Sequence, residues 1–273
     1  MYETYWQLRQ KPFEPGADPR FYYPGESHQA ALLKLRYAIE NHRGGVLLAG
    51  PSGVGKTLLA NILREMLGDA FKPFVQIVFP QMPTAELLAY LADELEGTTG
   101  DSGTPSVQSS IQRIQRFIAA NVEKGRHAVV VIDESHLIAD PATFEALRLL
   151  MNFESNGRPL MTLLLSGQAM ILPMLQRMPA LEERLAVKCL LRPFIVEETA
   201  AYVTHRLKIA GATRTIIETD AFTTLQELTH GFARQINRLC DLGLLIGYAE
   251  ERKTLSAEHF ESICQELVTV APE

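Results

Sequence analysis

The sequence predicts an α/β protein with a parallel sheet covered on both faces, followed by an all-helical segment. Three observations carry that expectation. Short, nearly continuous apolar runs ("VLLAG" from Val46, "FVQIVF" from Phe74, "AVVVID" from Ala128, "MTLLLSG" from Met161) alternate with stretches of helical periodicity. Strands buried on both faces read this way because neither face meets water. After "VKCLLRPF" the strand-like runs stop, and helical patterns fill the rest. Finally, a glycine-rich turn sits between an apolar strand and a helix-forming run, the strand–turn–helix order of a parallel sheet.

The elements follow in order. Residues 1–26 are rich in proline and aromatics, with turn signals at Asp18-Pro19 and Pro24-Gly25, and predict an irregular arm that wraps another surface. A helix is expected from an N-cap at Ser27, with Ala30, Leu33, Tyr37 and Ala38 at helical spacing, up to Gly44-Gly45. Helices are expected through Leu67, over 84–95 and over 107–124, with a flexible loop in "GTTGDSGTPS" before the last of these. Past a boundary near Pro193, helices are expected near 197–210, 219–229, 233–249 and 256–267. The organisation is therefore an α/β domain with its N-terminal arm over residues 1–192 and a helical domain over 193–273.

Bulk properties narrow the function classes. With 47% apolar and 21% charged residues, the chain has the balance of an ordinary globular protein. A net charge of −6 argues against a surface given over to nucleic acid, which needs clustered Lys and Arg. Cys189, Cys240 and Cys264 are far apart and form no Cys-x-x-Cys pair, which excludes a disulfide framework and a zinc site and favours a reducing compartment. No apolar run approaches the roughly 20 residues of a membrane span, and the N-terminus lacks the apolar centre of a signal peptide. A cytoplasmic protein with no transmembrane segment is expected.

Gly50-Pro51-Ser52-Gly53-Val54-Gly55-Lys56-Thr57 fits the full G-x-x-x-x-G-K-[ST] pattern, and the candidate nucleotide-binding stretch runs on through Leu58. Its glycines let successive main-chain N–H groups turn inward around an anion, and the following helix adds the positive end of its dipole. Lys56 is placed to reach the outer phosphates and the Thr57 hydroxyl to ligate a metal. A chance lysine after a glycine-rich turn would lack these flanks. "VVVIDESH" carries an acidic pair to the end of an apolar strand. Asp133 is the candidate metal ligand, and Glu134 is the candidate base for an attacking water. Helix-capping acids would be the bland alternative. His136 reads as a packing or surface histidine, although "DESH" has the form of a D-E-x-H box.

With these residues in place, the chain resembles the AAA+ ATPases, a class of P-loop NTPase. Within them it resembles the ExeA-like group associated with general secretion and pilus biogenesis. The resemblance rests on the opening "YETYWQLRQKPFEPGADPRFYYPGESHQAALLKLRYAIE", on "LLLSGQ" and on "GFARQINRLCDLGLLIGYAE", in that order. It implies a three-layer sandwich around a five-stranded parallel sheet of order 5-1-4-3-2, followed by an all-α lid. It also implies ATP and Mg2+ as cofactors, and a homo-oligomer with ATP at subunit interfaces that drives assembly or remodelling of an unidentified protein client in a secretion or envelope setting. By the same resemblance Gln168, with Ser166 as the fallback, senses the γ-phosphate. Arg184, or else Arg177, is the arginine offered to a neighbouring subunit. Arg234 reaches back from the lid, and Phe21 and Tyr22 line the adenine pocket. AAA+ proteins of this type also resemble DNA-transposition helpers, and the helix bearing Arg113, Arg116, Lys124 and Arg126 would present a positive strip to DNA; the acidic net charge disfavours that reading. A non-hydrolysing recruitment switch is the third reading, and Glu134 speaks against it.

Overall fold

The computed structural model describes residues 1–98 and 106–269, so residues 99–105 of the expected loop lie outside the described residues. Two compact units emerge: Ser27–Pro51 with Leu59–Leu191, and Met1–Glu26 with Ser52–Leu58 and Arg192–Glu273.

The first unit is built on five parallel strands: β1 (Gly45–Ala49), β2 (Phe74–Ile77), β3 (Ala128–Ile132), β4 (Met161–Gly167) and β5 (Leu185–Leu190). Their order is β2-β3-β4-β1-β5, the 5-1-4-3-2 arrangement that the family resemblance implies. β1, β3 and β4 are buried at every residue, because helices cover both faces of the sheet. Leu47, Val130, Ile132, Leu163 and Leu165 belong to a core shared with helices α3 (Thr84–Glu96), α4 (Val107–Glu123) and α5 (Pro141–Leu150). A two-residue hairpin, Glu154–Ser155 with Arg158–Pro159, and the short helices α6 (Ile171–Gln176) and α7 (Pro179–Glu182) complete this unit after β3.

Helix α1 (Glu26–Glu40) forms close to the expected span, with Ser27 inside its first turn rather than capping it, and turns a different face inward. Its buried residues are His28, Ala31, Leu32, Leu35, Ala38 and Ile39, whereas Leu33 and Tyr37 are exposed. Two adjacent rows at i, i+3/i+4 spacing compete in this helix, and the row with more branched aliphatics wins the core.

The second unit holds α8 (Val196–Ile209), α9 (Ala221–Thr229), α10 (Ala233–Ala249) and α11 (Ala257–Thr269). The N-terminal arm, expected with the α/β domain, packs here instead. Tyr2, Trp6, Leu8 and Phe13 are buried in one core with Val203, Leu225, Cys240, Leu244 and Phe260. The reason is chemical: the helices leave an apolar surface that an aromatic-rich arm, regular only in the 3-10 turn Pro19–Phe21, can fill. Helix α2 (Lys56–Met66) begins within the glycine-rich loop. Among the described residues, no helix is long and apolar enough to cross a membrane.

At the N-terminal edge of the sheet a hydrogen-bond chain fixes two histidines. The Thr162 hydroxyl donates to the Arg43 carbonyl (2.7 Å), so it accepts from His127 Nε2 (2.9 Å); His127 Nδ1 must then accept from His42 Nδ1 (2.9 Å). The chain requires a neutral His127, and burial, reinforced by His42, pushes its pKa from 6.5 down to about 4. A depressed histidine gives stability that is whole above the unfolded value, shrinks as pH falls below it, and is gone beneath the folded value. Unfolding free energy should therefore drop by roughly 3 kcal/mol between pH 6.5 and 4 in the parent relative to His127→Gln. Denaturant titrations at several pH values check this, and parallel pH profiles for the two proteins would refute it.

Candidate nucleotide site

Parallel strands bring all their C-terminal ends to one edge, so the exits of β1 and β3 fall on either side of the end of β4. On one flank, Gly50 N–H donates to the Gly167 carbonyl at 3.1 Å. On the other, Ser166 Oγ donates to Asp133 Oδ1 at 2.7 Å, and Ser135 Oγ donates to the Ser166 carbonyl at 2.8 Å. The first residues of the glycine-rich loop and the acidic pair thus leave the same edge two strand spacings apart, roughly 9–10 Å.

Asp133 is buried, and a carboxylate there is tolerable only when donors surround it. Besides Ser166, it accepts from the main-chain N–H of Glu134 (3.0 Å) and from Gln76 Nε2 on β2 (3.4 Å). These donors fix the orientation of the carboxylate. Glu134 sits at φ +48°, a left-handed conformation that costs a non-glycine residue energy and recurs at functional sites. Its side chain is 38% exposed, yet Oε2 is buried without a hydrogen-bond donor. His136 Nδ1 lies 3.4 Å from that oxygen, but accepts the Gln168 main-chain N–H at 3.3 Å. With its lone pair taken and no proton on Nδ1, the ring offers Glu134 nothing.

In the second unit, Gly53 and Gly55 of the loop adopt φ +82° and +100°, values that glycine takes without strain and that an anion-binding turn requires. Lys56 is buried and Thr57 exposed at the start of α2. Arg234 lies on this loop. Its N–H, one of the free donors at the start of α10, bonds the Gly53 carbonyl at 3.1 Å, and its Nη1 bonds Ser52 Oγ at 3.2 Å. A Cβ on Gly53 would come within 3.0 Å of Arg234 Cβ, so that glycine serves both the loop and the approach of α10. The residue ahead of α10 that the sequence reading missed is Gly231, at φ +74°; a Cβ there would stand 2.0 Å from the Phe194 carbonyl oxygen. "GFAR" carries that signal in retrospect, since only glycine allows the turn to seat on the start of α8.

Of the remaining expected residues, Gln168 is half-buried and joins the site through its main chain, while Ser166 clamps Asp133. Phe21 is buried beneath the Arg206 guanidinium, 4.7 Å from the ring centre. Tyr22 keeps a buried hydroxyl without a partner, and burial pushes its pKa up, so it stays a neutral donor. Arg184 and Arg177 are both exposed. Arg184 directly precedes β5, whose first residue pairs with the first residue of β1, and so lies at the sheet edge opposite Asp133. Arg113 is ion-paired with Asp93 (2.7 Å) and with Glu96, which neutralises one member of the positive strip considered for DNA.

In the second unit the loop glycines suit a phosphate held by main-chain N–H groups; in the first, the clamped aspartate offers a hard oxygen and the donor-free Oε2 of Glu134 a proton acceptor. Residues 39–175 match the family model described as AAA domain. The chain is 32% identical over 253 residues to General secretion pathway protein A of Aeromonas hydrophila, covering 91% of this chain but 45% of that protein, so it spans less than half the length of that relative. The fold is shared with Aeropyrum pernix ORC2 in its ADPNP and ADP complexes (TM-score 0.70, 16% identity, covering 94% of this chain and 71% of that one). It is also shared with the Thermotoga maritima RuvB branch-migration motor (TM-score 0.57, 18% identity, 89% and 67%). The chain belongs to the AAA family of P-loop ATPases.

Proposed function

We propose that the chain hydrolyses Mg-ATP at interfaces between copies of itself and uses the cycle to assemble or remodel a protein complex of a secretion or envelope system. The supporting observation is the position of Arg184. It is exposed, and it stands at the edge of the sheet opposite Asp133 and Glu134. A cation there is of no use to the acids of its own sheet and is presented outward, as an arginine that completes a neighbour's site must be.

Within one site, the loop main chain and Lys56 hold the phosphates, and Thr57 with Asp133 supplies metal ligands. Glu134 takes the proton of the attacking water, and Arg234 on Ser52 reports loop occupancy to α10. The bound metal neutralises phosphate charge. The 32% identity to General secretion pathway protein A supports the choice of client class. The positive strip for DNA is weakened by the ion pairs of Arg113.

The test is complementation in trans. Lys56→Ala and Arg184→Ala should each be nearly inactive, and an equimolar mixture should regain ATPase activity, because some interfaces then pair an intact loop with an intact arginine. A mixture no more active than its parts, or an Arg184→Ala protein at the parent rate, would remove Arg184 from this role.

A further inference from the structure

We propose that His136 is a positioning residue that keeps Glu134 free to act, because its Nδ1 occupies the Gln168 main-chain N–H that would otherwise capture the Glu134 carboxylate. This rests on the reading of Glu134 as the base. Gln168 N lies 3.3 Å from His136 Nδ1, and Glu134 Oε2 lies 3.4 Å from the same atom. A donor and an acceptor thus meet at a single nitrogen. Were that nitrogen gone, the stranded N–H of Gln168 and the donor-free Oε2 would be each other's nearest remedy, since both are costly to leave buried and unpaired.

The surroundings are built to hold the ring there. The turn over Ser135–Leu137 presses onto the end of β4, where a Cβ on Gly167 would meet Ser135 Oγ at 3.1 Å, His136 N at 3.2 Å and His136 Nδ1 at 3.4 Å. Glycine at 167 is therefore what allows the imidazole to reach the next N–H. Ser135 ties the same turn to the Ser166 carbonyl, and the ring itself is buried. A surface or packing histidine needs none of this. The Gln168 N–H also fixes the polarity of the ring: it demands an acceptor at Nδ1, which leaves Nε2 as the ring's donor.

The experiment compares His136→Asn, His136→Leu and Glu134→Gln, alone and combined, in steady-state ATP hydrolysis and nucleotide binding. Asparagine can place Oδ1 where Nδ1 stands and should keep kcat within about threefold of the parent. Leucine fills the space without an acceptor and should lower kcat about tenfold or more, with ATP affinity and melting temperature near those of the parent. In the Glu134→Gln background the leucine change should cost little further, because the group it releases for capture is already gone. Equal losses for asparagine and leucine, or a full additional loss in the double variant, would overturn the proposal. If Glu134→Gln itself left kcat unchanged, the underlying assignment of the base would fail instead, whatever the His136 variants did.

Discussion

Glu134→Gln is expected to lower kcat by about 10²–10⁴-fold while leaving nucleotide binding intact. The change is nearly isosteric and touches no phosphate-holding group. It also leaves the turn in place. The backbone of Glu134 is held by its N–H on Asp133 Oδ1, and the residue after it by Ser135 Oγ on the Ser166 carbonyl; neither contact uses the replaced carboxylate. What disappears is the ability to accept a proton, since an amide is not basic near neutral pH. Thermal stability should stay near that of the parent as activity falls, a combination that unfolding cannot produce. Hydrolysis assays beside binding of a fluorescent ATP analogue decide it. A variant within threefold of the parent kcat would show that the water is activated by another group.

How much of this was readable beforehand depends on how local the physics is. A phosphate cradle must be contiguous, because adjacent N–H groups do the holding, so Gly50 to Thr57 declare themselves. A buried parallel strand declares itself by its run of apolar residues, which is why the runs of β1 to β4 stand out in the sequence; the count of five and their order come from the family resemblance, since no run of residues encodes its neighbour in the sheet. Contacts between distant segments leave no such trace. Nothing in "FVQIVF" says that Gln76 donates to Asp133, and nothing in "LLLSG" says that Ser166 clamps the same carboxylate from the other side. His136 was legible as a residue but not as a contact, because its neighbour is a main-chain N–H 32 positions away. Helix α5 and the short α6 and α7 went unassigned; at six and four residues, the last two are too brief to show a period.

The largest stability effect is expected at the opposite end of the chain, from Trp6→Ala. The arm bearing Trp6 reads in sequence as an irregular strap, and irregular termini are often dispensable. Trp6, however, is fully buried, and its Nε1–H donates to the Leu244 carbonyl at 2.8 Å. Its ring stands edge-on to Tyr5 at 5.0 Å and fits against Gly247, where a Cβ would approach within 3.1 Å of Cζ2. Removing such a ring costs about 3–5 kcal/mol, the lost transfer energy plus the cavity left in a core of four helices with little else to collapse into it. Leu33→Ser is the counter-test: it stands in the predicted apolar row of α1 but is 71% exposed, and should shift stability by less than about 0.5 kcal/mol. Chemical denaturation of both variants separates the two cases. A loss below about 1 kcal/mol at Trp6 would mean that the arm is only draped over the helices and that their core closes without it; a loss of the expected size makes residues 1–26 part of the lid, so that truncating them as a disordered leader would unfold the unit that carries Arg234.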